Sequence, residues 1–134
     1  MSTILNTIAS YLETLTATNV ICSELGTELS ANVNLFIGTE KDTNSDSITL
    51  VPYHGAPPKS DRQRFESAVQ IQLKSNRKKA IGVQQKIIET LHFNDLNGGG
   101  RMFSVNSAPL LLGEIEGGEW IRSVSNFTIK HIKV

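Results

Sequence analysis

Three histidines, one cysteine, two close carboxylate pairs, a triple glycine and a cluster of basic residues are the places where this chain could do chemistry. His54, His92 and His131 stand far apart, and none belongs to a spaced ligand set such as His-Glu-x-x-His. The plainer reading of each is a surface or strand-end imidazole. Cys22 is the sole cysteine, so it forms no internal disulfide and no cysteine-based metal site. Within Val20-Ile21-Cys22 it reads as a small buried hydrophobe rather than a reactive thiol.

The pairs Asp42/Asp46 and Glu114/Glu116 lie in hydrophilic stretches with no apolar wall to raise a carboxyl pKa, which general acid–base work needs. They read as solvated turns. Gly98-Gly99-Gly100 lacks the Lys-Ser/Thr of a phosphate loop and precedes a strand rather than a helix, so it reads as a hairpin-like connector. No Gly-x-Ser-x-Gly nucleophile elbow occurs. The expectation is a chain without catalytic activity and without a bound cofactor or metal.

The basic cluster is less bland. Lys74, Arg77, Lys78 and Lys79 surround the start of a predicted helix, and Arg62 and Arg64 precede the strand that feeds it. Positive charge at a helix N-terminus opposes the helix dipole. These six residues are therefore candidates for a partner-binding surface that meets acidic protein or DNA phosphates. A strand of about 3.3 Å per residue could separate Arg62 and Arg64 from the rest, which makes the other four the firmer subset. The alternative is a solvated face.

The elements that position these residues follow from periodicity. At 134 residues the chain spans one domain, residues 1–134. Such a domain buries roughly two-thirds of its unfolded surface. Thirteen basic residues balance thirteen acidic ones, which excludes a global basic footprint for nucleic acid. No apolar run approaches the length of about 18 residues that a membrane span needs, and Met1-Ser2-Thr3 lacks a basic leader region. The expected setting is a reducing cytoplasm.

Ile4, Ile8, Tyr11, Leu12 and Leu15 predict a helix over 3–16. Residues 17–30 are ambiguous, with a turn at Gly26. Val33, Leu35 and Ile37 predict a strand, and residues 47–54 predict a second, with Pro52 near its end or at an edge. The clearest strand alternates Phe65, Ser67, Val69, Ile71 and Leu73 with polar residues. A helix over 77–91 presents Ala80, Val83, Gln84, Ile87, Ile88 and Leu91, with Ser75 or Asn76 as its cap. A fourth strand runs over 101–108 with Phe103 and Val105 on one face, and 113–118 reads as a turn. A fifth runs over 119–133; it changes phase, which a bulge would reconcile. The fold class expected is α+β: a mixed, mostly antiparallel four- to five-stranded sheet with two helices packed on one face.

Three regions, in order, carry a family resemblance. They are Asn32-Val33-Asn34-Leu35-Phe36-Ile37-Gly38, followed by Ile48 to Pro58; Val69-Gln70-Ile71-Gln72-Leu73-Lys74-Ser75-Asn76, running into the Ala80–His92 stretch; and Ser107-Ala108-Pro109-Leu110-Leu111-Leu112-Gly113-Glu114, followed by Trp120 and Ser123 to Ile129. From about residue 30 to 130 this order resembles the tail-terminator and minor capsid (head–tail joining) proteins of tailed bacteriophages. The loop after residue 37 departs from that pattern: it is acidic and threonine-rich and lacks the proline that relatives often carry.

The resemblance implies a structural virion protein at the head–tail junction, assembled in the host cytoplasm. It implies a homo-oligomeric ring, a hexamer, that caps the tail tube protein, stops tube polymerisation and offers a surface to a head-completion or connector protein. DNA would pass the lumen only transiently, and no membrane is involved. A ring needs heterologous, closing contacts, for which unpaired strand edges are candidates. The alternatives are a head-completion or connector ring protein and a nucleic-acid-binding module that uses the basic cluster.

Overall fold

The computed structural model describes the backbone of residues 3–38, 46–52, 64–76, 79–96, 100–105, 110–115 and 120–132, and the side chains of these except at 3–4, 64–67, 110–115 and 131–132. The elements are helices α1 (Thr3–Glu13), α2 (Val20–Leu25) and α3 (Ala80–Leu91) and strands β1 (Leu35–Ile37), β2 (Ser47–Pro52), β3 (Arg64–Asn76), β4 (Arg101–Ser104), β5 (Leu110–Ile115) and β6 (Trp120–Ile132). Five strands run in the order β1-β2-β3-β6-β4, and β5 also pairs β6. Only β1 and β2 are parallel; every other pairing is antiparallel. The protein is an α+β domain with a mixed, mostly antiparallel sheet, as its periodicities predict.

The spine of the sheet is β3 against β6, paired from Arg64↔Ile132 through Asn76↔Trp120 without a break. One edge of β6 is wholly occupied by β3. The other is shared by β5, which pairs Trp120–Val124, and β4, which pairs Phe127–Lys130. Along this pair every second residue faces the helices: Val69, Ile71, Leu73 and Ser75 on β3, and Ile121, Ser123, Ser125, Phe127 and Ile129 on β6, all buried. Leu5, Ile8 and Leu12 of α1 and Val83, Ile87, Ile88 and Leu91 of α3 close over them in one core. The six α3 residues of the predicted stripe are all buried.

Several expectations need correction. Residues 20–25 form a third helix. Asn19 caps it by accepting from the Ile21 amide at 2.9 Å, and Gly26 ends it at φ 93°. Six residues make a marginal helix alone; burial of Ile21, Cys22 and Leu25 holds it. Val33 is 65% exposed, because residues 31–34 form a turn rather than a strand. The buried Asn34 side chain fastens that turn, donating to the Glu28 carbonyl at 2.9 Å and accepting from the Ser30 amide at 2.7 Å. Helix α1 stops at Glu13, short of residue 16, as Thr14 and Leu15 tighten onto Tyr11 and Leu12.

Ser75 and Asn76 end β3 instead of capping α3. Helix α3 begins three residues later than expected, behind Lys79, which makes no side-chain cap. Strand β4 ends at Ser104, short of residue 108; its inward residue is Met102, and Val105 is 64% exposed. Residues 110–115 are strand β5, where a turn was expected over 113–118. The register irregularity lies in β5, between Leu111 and Gly113, so β6 itself runs straight. Val124, on the far face of β6, is buried all the same.

Candidate functional site

The six basic candidates divide. Arg62, Arg77 and Lys78 lie outside the described residues, and of Arg64 only the backbone is described. Arg64 opens β3 and Lys74 stands near its end, so the strand carries them roughly 30 Å apart at about 3.3 Å per residue. Lys74 shares the face of Gln70 and Gln72, away from the helices, with its Nζ 5.8 Å from the centre of the Trp120 ring.

Lys79 lies on the helix side. Its Nζ donates to Asp46 Oδ2 at 2.8 Å and to the Leu25 carbonyl at 2.9 Å. Asp46 also accepts from Ser75 Oγ at 2.8 Å, so one carboxylate ties the start of β2, the end of β3 and the foot of α3 together. This resolves the unfavourable placement of positive charge before a helix. Asp46 offsets the lysine, and the lysine meets the carbonyl end of α2, where the dipole favours a cation. The Asp46 carboxylate is thus part of a junction, not of a solvated turn.

Cys22 is buried and free, with its Sγ 3.8 Å from the Leu15 carbonyl. Burial raises its thiol pKa, and Glu28 nearby raises it further, which disfavours the reactive thiolate. His54 and the Glu116 end of its carboxylate pair lie outside the described residues, as do Gly98 and Gly99. On either side of them Asp95 bridges Arg101 in antiparallel fashion, and the Leu96 amide donates to the Gly100 carbonyl at 2.8 Å. Among the described residues no group of three or more His, Cys, Asp or Glu could hold a metal ion, and no helix is long and apolar enough to cross a membrane.

An aromatic corner escaped the sequence reading. Phe93 follows α3 and is 57% exposed. Its ring centre lies 4.4 Å from that of His92 and 5.2 Å from that of Phe103 on β4. Lys130 Nζ sits 5.3 Å from the Phe103 ring centre on the adjacent β6. Arg101 donates to the Phe93 carbonyl at 3.1 Å, and the Ser104 amide donates to His92 Nδ1 at 2.9 Å, which leaves the proton of a neutral imidazole on Nε2. Phe93 adopts φ 63°, a left-handed conformation unusual for a bulky residue. The sequence signal was Phe93, an aromatic residue just past the predicted helix, with Phe103 on a face of the strand that follows.

The sheet edges are blunted. Met102 of β4 exchanges backbone bonds with Phe93 and Asn94, and Leu35 of β1 does so with Ser30 and Asn32. At these positions strand addition by a neighbour has no free ladder to use.

No protein-family model matches the chain, and no curated protein matches it.

Proposed function

We propose that the protein is a bacteriophage tail terminator. Its copies form a ring, a hexamer by the resemblance, on the head-proximal end of the tail tube. The ring stops tube polymerisation and offers the surface that joins the head. One observation carries the reading: the three regions of resemblance fall on β1 and β2, on β3 with α3, and on β5 and β6, all built on one sheet. Leu35–Ile37 is β1; Val69–Asn76 ends β3 and leads into α3; Leu110–Glu114 lies in β5, paired with the β6 segment that opens at Trp120 and continues through Asn126-Phe127. The third region departs from the family pattern: its Leu-Gly, a turn in that pattern, lies here within strand β5, at a register irregularity between Leu111 and Gly113.

Two long helices on one face leave a small rigid domain with two unlike sides, which suits a ring that meets tube and connector differently. Electron microscopy of particles assembled without this protein tests the reading. Overlong tubes without heads are expected. Tubes of normal length beside unjoined heads would replace it with a head-completion role, and normal virions would overturn both.

A further inference from the structure

Two patches of opposite character stand at the two edges of the sheet. The first is the aromatic corner at the β4 edge: Phe93, Phe103 and Val105 with Arg101 and Lys130. Phe93 and Val105 are 57% and 64% exposed. A left-handed phenylalanine that leaves more than half its surface in water is unfavourable twice over for an isolated chain, where glycine or asparagine would serve without strain. Non-glycine residues held in such a conformation cluster at functional sites, and exposed aromatic side chains flanked by arginine are typical anchors of protein interfaces.

The second patch is at the β1 edge. Val33 is 65% exposed on the turn that begins β1. Glu13 and Glu28 beside it are exposed, and the Glu28 carboxylate also accepts from the Ala17 amide at 2.9 Å. Glu13 holds this turn, accepting from the Ala31 amide at 3.2 Å, and the Glu28 carbonyl accepts from Asn34. The charge is one-sided on a larger scale. Residues 1–40 hold four of the thirteen acidic residues and none of the thirteen basic ones or the histidines, so the remainder carries nine acidic and thirteen basic residues, a formal balance of −4 against +4.

We infer that the β4-edge patch of one copy docks on the β1-edge patch of the next, so that copies of this chain join head to tail. The aromatic patch, cationic on balance with exposed Arg101 and Lys130 against exposed Asp95, complements the acidic, aliphatic one, whereas the acidic patch against itself would bring like charges together. The blunted edges make this a contact of side chains rather than an added strand. The patches are also offset along the strands: β4 lies level with Glu66–Val69 of β3, while β1 lies level with Ile71–Leu73. Successive copies therefore step diagonally, and a closed ring built this way has its strands inclined to the ring axis. The contact deepens the ring reading above and supplies the two different surfaces that a heterologous assembly needs.

Two variants of the full chain test it, one for each patch: Phe93→Gly with Lys130→Glu, and Val33→Lys. Both should melt like the wild type, since glycine suits the φ of residue 93 and Val33 is exposed. If Val33→Lys fails to fold, Val33→Ser, which removes the exposed aliphatic side chain without adding charge, takes its place. Light scattering after size-exclusion chromatography should show the wild type assembling, more weakly as salt rises, and each variant self-associating roughly tenfold or more weakly. The mixture decides the matter. Each variant keeps the patch that the other lacks, so mixing them in equal amounts should give dimers that grow no further. Assembly of either variant like the wild type, or a mixture that stays monomeric, overturns the contact. A wild type that is monomeric in free solution overturns it too, while tube length still decides the ring reading by itself.

Discussion

The two faces of the β3–β6 ribbon are built from the same backbone and obey different rules. On the helix side Val69, Ile71 and Leu73 meet Phe127 and Ile129 under α1 and α3, all buried. On the far side Gln70, Gln72, Asn126 and Thr128 are half-buried. There Gln70 donates to Asn126 Oδ1 at 3.2 Å, and Gln72 donates to Gln70 Oε1 at 2.7 Å. The helix side is held by area removed from water; the far side, apart from buried Val124, is held around Gln70 by side-chain hydrogen bonds that water can replace. Neighbouring residues of one strand should therefore differ several-fold in what they contribute to stability.

The largest effect is expected at Ile71, which has no exposed surface. Its truncation to Ala removes buried methyl groups and leaves a cavity between sheet and helices, at about 2–5 kcal/mol. Chemical denaturation would measure it. A loss below about 1 kcal/mol would mean that this face is not close-packed.

Besides Ser75, which bonds to Asp46, the helix side holds a buried polar cluster. Gln84 of α3, fully buried, donates to the Ser123 carbonyl and Ser123 Oγ at 3.1 Å each, and accepts from Ser125 Oγ at 2.8 Å. Among the described residues no buried side-chain polar atom lacks a partner. Gln84→Leu keeps most of the volume but strands the serine hydroxyls, and should destabilise by about 1–3 kcal/mol. Adding Ser123→Ala and Ser125→Ala should recover most of the loss, because no orphaned group then remains. A triple variant no more stable than Gln84→Leu alone would show that the glutamine acts through packing rather than hydrogen bonding.

How far these faces could be read without a structure depends on length and on partners. Alternation over Val69–Leu73 and the stripe from Ala80 to Leu91 are long enough for period to speak, and both lie where expected. Helix α2 spans six residues, under two turns, and its apolar Val20-Ile21-Cys22 fits strand and helix alike. Gly113 between Leu112 and Glu114 reads as a turn, yet β6 offers an edge that draws the segment into a strand. Ser75 looks like a helix cap until the Asp46 carboxylate engages it within β3.

The basic cluster shows the same limit. Counting charges finds Lys74 and Lys79 but not the strand–helix junction that sends one to the far face of the sheet and the other to Asp46 and α2. The aromatic corner joins Phe93 to Phe103, ten residues on, through the backbone bond from the Phe93 amide to the Met102 carbonyl. No local pattern announces such a meeting.

The smallest effect sharpens the contrast between the faces. Gln70 is the residue before Ile71 and pairs Val51 on one side and Asn126 on the other. Gln70→Ala removes its bonds to Asn126 and Gln72, but both partners are only half-buried, so water can satisfy what the amide leaves behind. The side chain is shortened on a face that no α1 or α3 residue covers, and alanine is a poorer strand former than residues with branched side chains. These terms together should shift stability by about 0.5 kcal/mol, several times less than the same truncation one residue later. Measured in one denaturant series, the Ile71→Ala and Gln70→Ala midpoints should bracket the range for β3. If Gln70→Ala instead costs as much as Ile71→Ala, the far face of the ribbon is packed as tightly as the core, and the division into one face held by burial and one held by exchangeable hydrogen bonds is wrong for this sheet.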